Sequence, residues 1–227
     1  VEWKIDIPAE MFVSKQYYLI KGKKFVRVTS SLNVISKPGL LIWFQKVGEY
    51  EAKRIVERRQ VLGSKVHKLI ELSLKGETVN LDNYEQEIKE DMLLFKEFRK
   101  QSGLKPDALE QRLWSTKHGY AGTADYIGKY KTPKDFLIRG HTAKFEKSSF
   151  VIGDWKTSRD IYPEYWLQLA AYVVAFEELT GIKVKGAFIA QFRYGKIRVM
   201  EKTYNELIKL FEVYKAVLKL YNWKYKN

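Results

Sequence analysis

Phe150-Val151-Ile152-Gly153-Asp154-Trp155-Lys156 is an apolar run that ends in an acid, an indole and an amine. Read as a strand, it places Asp154 and Lys156 on one face and Trp155 on the other, because successive side chains alternate across a strand. A carboxylate beside an ammonium at a strand end can hold a divalent cation and orient a water next to it. Taken alone the triplet decides nothing, since an exposed Asp–Lys pair contributes little. Its meaning depends on what flanks it.

Downstream, Pro163 opens a helix in the first turn, where a missing N–H costs nothing. The helix continues to Leu179 and Thr180-Gly181 stops it. Gln168 and Tyr172 lie one turn apart on a shared face; by themselves they also fit the polar edge of a core helix. Residues 184–192 and 196–201 read as a hairpin across Tyr194-Gly195, followed by an amphipathic helix over 204–221.

Upstream, residues 108–116 and 120–130 read as strands joined through His118-Gly119. The second carries Gly119-Tyr120-Ala121-Gly122-Thr123-Ala124-Asp125. An Asp just after glycines can sit where a ligand approaches the backbone closely, or it can cap a turn. Residues 131–147 are basic and irregular, an extended hairpin or a loop. Earlier still, the pattern is helical over 40–74, with Gly48 and Gly63 as breaks or close-packing points, and again over 84–100. Val66, Leu69, Ile70, Ser73 and Leu74 form an apolar stripe in the first of these. His67, one of three histidines, lies within that stretch, where by itself a packed or exposed role is more common than ligation. Residues up to 37 read as a small hairpin region around Lys21-Gly22-Lys23. This order of elements predicts an α/β sandwich around a mixed sheet. With no repeat and no long linker, the 227 residues form one domain: 1–105 hold the N-terminal hairpin and helices, and 106–227 the αβ core.

Composition narrows the chemistry. The absence of cysteine excludes disulfide scaffolds, thiol catalysis, cysteine-ligated zinc and iron–sulfur clusters. Forty-one Lys and Arg against 27 Asp and Glu leave a net charge of +14. That surplus draws polyanions, nucleic acid foremost, although a Lys-rich solvated surface would give the same count. No apolar run approaches the ~20 residues that span a bilayer. The start, Val1-Glu2-Trp3-Lys4, lacks the basic-then-apolar plan of a signal peptide. A cytoplasmic protein without membrane contact is the expectation.

The order of the pieces carries more than any one of them. Gly63-x-x-x-His67, then Gly122-Thr123-Ala124-Asp125, then the strand ending Asp154-Trp155-Lys156-Thr157-Ser158, then Gln168-Leu169-Ala170-Ala171-Tyr172 together resemble the PD-(D/E)xK nuclease superfamily. Its RecB-type and phage-type exonucleases are the most similar branch. The resemblance runs over about residues 29–190 and takes in Val28-Thr29-Ser30 and Pro38-Gly39-Leu40-Leu41-Ile42-Trp43.

That likeness implies a restriction-endonuclease-like core, a mixed central sheet flanked by helices, with an N-terminal helical and hairpin extension. It implies a Mg²⁺- or Mn²⁺-dependent deoxyribonuclease, an exonuclease by branch, acting on single-stranded DNA or duplex ends in repair or recombination. A structure-specific endonuclease or resolvase, or an inactive nucleic-acid-binding module, are the alternatives. Residue by residue, His67, Asp125, Asp154 and the backbone carbonyl of Trp155 match the metal ligands. Lys156 matches the residue that positions or activates the attacking water. Gln168 and Tyr172 match the helix motif that helps place Lys156 and the DNA, and Glu110 matches a supporting acid. The iron–sulfur subgroup is excluded by the lack of cysteine. The span from Asp125 to Asp154 is longer than usual, so its basic stretch, 129–147, reads as an added DNA contact. Tyr162, Tyr165 and Trp166 are candidates for stacking on unpaired bases, or ordinary packing. Some relatives form homo-oligomeric rings, and so compact a nuclease suits a virus or mobile element, acting then in the host cell.

Overall fold

A computed structural model describes residues 3–193 and 195–225. Its strands are β1 (Phe12–Val13), β2 (Tyr17–Ile20), β3 (Lys23–Arg27), β4 (Lys105–Ser115), β5 (Tyr120–Tyr130), β6 (Ser149–Lys156), β7 (Gly186–Arg193) and β8 (Lys196–Thr203). The helices are α1 (Val28–Ser31), α2 (Pro38–Val47), α3 (Glu49–Leu74), α4 (Gln86–Ser102), α5 (Pro163–Thr180) and α6 (Tyr204–Tyr225). The fold is α/β, a mixed sheet of eight strands with helices on both faces. Tyr194, in the expected turn between β7 and β8, lies outside the described residues; Gly195 beside it has a φ of +64°, which suits a tight turn.

β5 is the axis of the molecule. β4 runs antiparallel along its length, from Lys105 opposite Lys129 to Ser115 opposite Tyr120. The other edge of β5 is divided. At its start, Tyr120 and Ala121 pair in parallel with Val26 and Arg27 of β3. At its end, Tyr126 to Tyr130 pair antiparallel with Gly153 to Ser149 of β6. Residues 122–125 lie between these two neighbours, where the strands part and a crevice opens. The N-terminal hairpin therefore extends the sheet itself, through β3.

The two faces of the sheet are packed differently. On one, α5 and α6 bury Leu167, Leu169, Val173, Phe176, Leu207 and Phe211 against Ile127, Ile152 and Ile189. α5 is apolar almost all round, as a helix enclosed on every side must be. Pro163 starts it and Gly181, at φ +71°, ends it in the left-handed conformation that glycine adopts without penalty. The other face holds α3, α4 and a cluster of aromatics. Phe95, Phe98 and Phe192 pack edge-on or tilted around Trp155, and Tyr130 stacks on Phe188 at 4.1 Å.

α3 has 26 residues, but only Ala52 is buried before Leu62. Its second half lies on the sheet; its first half stands out beside the crevice. Gly48, at φ +89°, breaks the chain between α2 and α3, whereas Gly63 sits inside a continuous helix. A Cβ at Gly63 would fall 2.9 Å from Thr157 Oγ1, so this glycine lets α3 close onto the segment following β6.

The basic stretch forms a loop with one short 3-10 turn, Lys134–Phe136, rather than a hairpin. The buried Glu201 carboxylate on β8 fastens it, accepting hydrogen bonds from Tyr130 Oη at 2.6 Å, Thr132 Oγ1 at 2.9 Å and the Lys144 amide at 2.9 Å. No described helix is long and apolar enough to cross a membrane.

Candidate active site

The crevice beside residues 122–125 is the floor of a cleft of about 2230 Å³. β6 supplies Asp154 and Lys156 just beyond its last pairing with β5. The amide of Trp155, past the end of that ladder, donates to Asp125 Oδ2 at 2.9 Å, tying the two diverging strands through a side chain. His67 reaches in from α3, its Nδ1 3.4 Å from the same Asp125 oxygen. Glu110 arrives from β4, opposite Asp125 between the pairs Leu109–Tyr126 and Gln111–Ala124. Its φ of +49° is unusual for a residue with a side chain and is strained backbone in mid-strand.

One ligand atom from each of His67, Glu110 and Asp125 lies within 4.8 Å of the other two. An imidazole with carboxylates suits Mn²⁺ and tolerates Mg²⁺, whose preference is for oxygen. Asp154 is close by but differently engaged. Its Oδ1 accepts from Gln168 Nε2 at 3.2 Å, and its Oδ2 forms an ion pair with Lys156 Nζ at 2.7 Å. The ammonium is the cation that this buried oxygen meets. The donor set of one imidazole and two carboxylates fits a divalent ion. The arrangement departs from the set that the sequence implies in one respect: Glu110, expected only in support, stands with His67 and Asp125, while Asp154 faces the lysine.

The electrostatics follow from crowding. Burial, then the Asp125 carboxylate, push Glu110 up to about 7 although part of its side chain meets solvent. Burial also raises Asp154 above the usual carboxylate range, against the pull of Lys156. For Lys156 burial disfavours the charge, but Asp154 and Asp125 outweigh it and hold the ammonium above its ordinary value. The amine is thus a protonated cation in the metal-free site.

α5 positions the remaining pieces. Gln168, buried, donates to both Asp154 Oδ1 and Tyr172 Oη (3.1 Å) and accepts from Lys156 Nζ at 3.4 Å. The Tyr172 ring packs directly against Gly122: a Cβ there would be 2.3 Å from Tyr172 Cε1. The glycine three residues before Asp125 is therefore a seat for the tyrosine that holds Gln168. Lys156 Nζ also lies 4.5 Å from the Tyr165 ring centroid.

Three features escape a reading of the sequence. Glu71, one helical turn after His67, lines the same cleft and is held by Lys68 at 2.9 Å and Lys75 at 2.6 Å; its i, i+4 spacing from His67 was the available signal. Tyr18 from β2 bonds Thr123 Oγ1 at 2.9 Å, two residues from Asp125, and nothing local announces it. Lys15, Arg27, Arg59, Lys68 and Arg159 collect around the cleft from four separate segments. Of the two roles open to Trp166, the structure supports packing: it is buried in the core on the inner side of α5 and does not present its ring to a base.

No family model matches the chain, and no curated protein matches it. Among solved structures it is similar to the protein named SSO0001, at 14% identity and a TM-score of 0.38 over 85% of this chain and 75% of that one. It is also similar to a protein of Eubacterium rectale described as a candidate exonuclease, at 16% identity and a TM-score of 0.43 over 71% of this chain and 68% of that one.

Proposed function

We propose that the chain is a divalent-metal-dependent nuclease that hydrolyses DNA phosphodiester bonds from an end. One observation supports this above the others: ligand atoms of His67, Glu110 and Asp125 gather within 4.8 Å beside the buried Asp154–Lys156 pair, in a cleft edged with cations. His67, Glu110 and Asp125 would hold the ion, with Asp154 and the Trp155 carbonyl adjacent to it. When bound, Mg²⁺ or Mn²⁺ acidifies a water and neutralises a non-bridging phosphate oxygen.

The chain's own groups do the rest. Lys156 presents an ammonium where negative charge grows in the transition state, and a fixed cation in a partly dry site acts more strongly than one in water. Gln168 holds that ammonium and Asp154 in one frame, so neither has to reorganise. The basic residues at the cleft edge bind the phosphates on either side of the scissile bond without reading sequence.

The test is incubation of the purified protein with linear and closed circular DNA in Mn²⁺, Mg²⁺ and EDTA. The expected result is metal-dependent digestion of linear DNA, with circles left intact. Cutting in EDTA, or full activity in Asp125→Ala, overturns the proposal; cutting of circles replaces the exonuclease reading with an endonuclease.

A further inference from the structure

α2 has no buried residue, yet it is the run Pro38-Gly39-Leu40-Leu41-Ile42-Trp43-Phe44. Leu40, Leu41 and Ile42 are 45%, 63% and 52% exposed. Trp43 and Phe44 beside them are half-buried, and three successive exposed aliphatic side chains are a cost to a folded chain unless they meet something. Leu40 and Trp43, one turn apart, line the same cleft as His67 and Asp125.

The start of α5 also lines this cleft, with Tyr162 exposed and Tyr165 half-buried, their rings edge to face at 5.6 Å. Tyr165 in turn touches Lys156. Aromatic surface therefore leads from the mouth to the amine. Lys37 Nζ pairs with Glu164 Oε1 at 3.2 Å, joining the N-terminus of α2 to the first turn of α5 and holding the two apolar walls together.

We propose that α2 and the start of α5 form a base-binding mouth for single-stranded nucleic acid. Leu40 and Trp43 on one side and Tyr162 and Tyr165 on the other take the faces of unpaired bases, while Lys15, Arg27, Arg59 and Arg159 take the phosphates. The lining combines apolar and aromatic surface with cations that outnumber its carboxylates, which suits a single strand. A duplex hides its base faces except at its ends, so it offers the cations its phosphates and the apolar walls little. A second copy of the chain would bring another +14 of like charge to a basic cleft. The inference goes beyond the nuclease reading and does not depend on cleavage.

The experiment measures binding in EDTA, by fluorescence anisotropy, to a short single strand, an abasic strand of equal length and a blunt duplex. The wild type binds the base-bearing strand roughly tenfold tighter than the abasic one. The Leu40→Ser/Trp43→Ala double variant loses that preference, keeps its affinity for the abasic strand, and melts at the wild-type temperature because no buried residue of α2 is touched. Equal wild-type affinity for base-bearing and abasic strands overturns the proposal. So does a variant that keeps the preference, or light scattering that shows a wild-type dimer dissociated by the same substitutions. An intact base preference with no cleavage in Mn²⁺ refutes only the nuclease reading, and cleavage without the preference refutes only the mouth.

Discussion

Trp155 and Lys156 are neighbours on one strand and live in opposite worlds. The indole is 2% exposed among Phe95, Phe98, Phe188 and Phe192, where nothing but shape and apolar area is at stake. The amine is half-buried on the other face, and its whole environment is charge and hydrogen bonding: Asp154, Gln168 and the ring of Tyr165. The strand's twofold alternation lets a rigid core and a polar site share one backbone, so the core fixes the positions that the site needs. At this end of β6, stability should depend on one face and chemistry on the other.

The sharpest way to break this division is Lys156→Met. It should lower kcat on the order of a thousandfold, as loss of a fixed transition-state charge does, while thermal melting shows the fold intact. Metal-dependent digestion of linear DNA reads the first and circular dichroism the second. Trp155→Ala tests the converse: it should cost about 3–5 kcal/mol of stability in urea titrations. At low temperature, where the fold persists, the surviving molecules should keep metal binding measurable by calorimetry.

Gly122→Ala probes the seam between the faces. Its methyl would displace the Tyr172 ring and with it Gln168. Activity should fall on the order of a hundredfold through misplacement alone, with Tyr172→Phe milder, since it keeps the ring and loses one hydrogen bond.

The smallest effect concerns Asp91, a buried acid on α4. Burial, then Glu87 and Glu90, push Asp91 up to about 7, against Arg59 and Arg193. A carboxyl raised above its unfolded value contributes stability that is full below the unfolded pKa and lost as pH climbs through the folded one. Stability should therefore decline between pH values of about 4 and 7, by at most a few kcal/mol. Asp91→Asn should flatten that slope in denaturant titrations across the same window.

Much of the frame was legible because it is local. The alternation of β5 and β6, Pro163 and Gly181 bounding α5, and the glycine break between α2 and α3 each announce themselves within a few residues. The parallel pairing of β3 with β5 was not legible, since ninety-odd residues separate the partners and pairing over that distance leaves no periodic trace. The site divides in the same way. Asp154, Lys156, Gln168 and Tyr172 stand on two consecutive elements, and their mutual contacts follow from strand and helix periods. The place of Glu110 follows only from cross-strand register and a left-handed backbone angle, neither of which its neighbours in sequence disclose. For Trp166 the sequence left stacking and packing both open, and packing holds because α5 has hardly any solvent side; an indole on such a helix goes inward.

The split edge of β5 ties the beginning of the chain to the centre of the site. β3 covers Tyr120 and Ala121, and Tyr18 grips Thr123, so a hairpin some hundred residues away serves as one jaw of a vice whose other jaw is β6. Proteolytic trimming that removed this hairpin would spare the histidine, both aspartates and the lysine, and would still slacken the strand that carries Asp125. Damage at the amino end of this molecule would thus be felt as a loosening of its acids rather than as a loss of any of them.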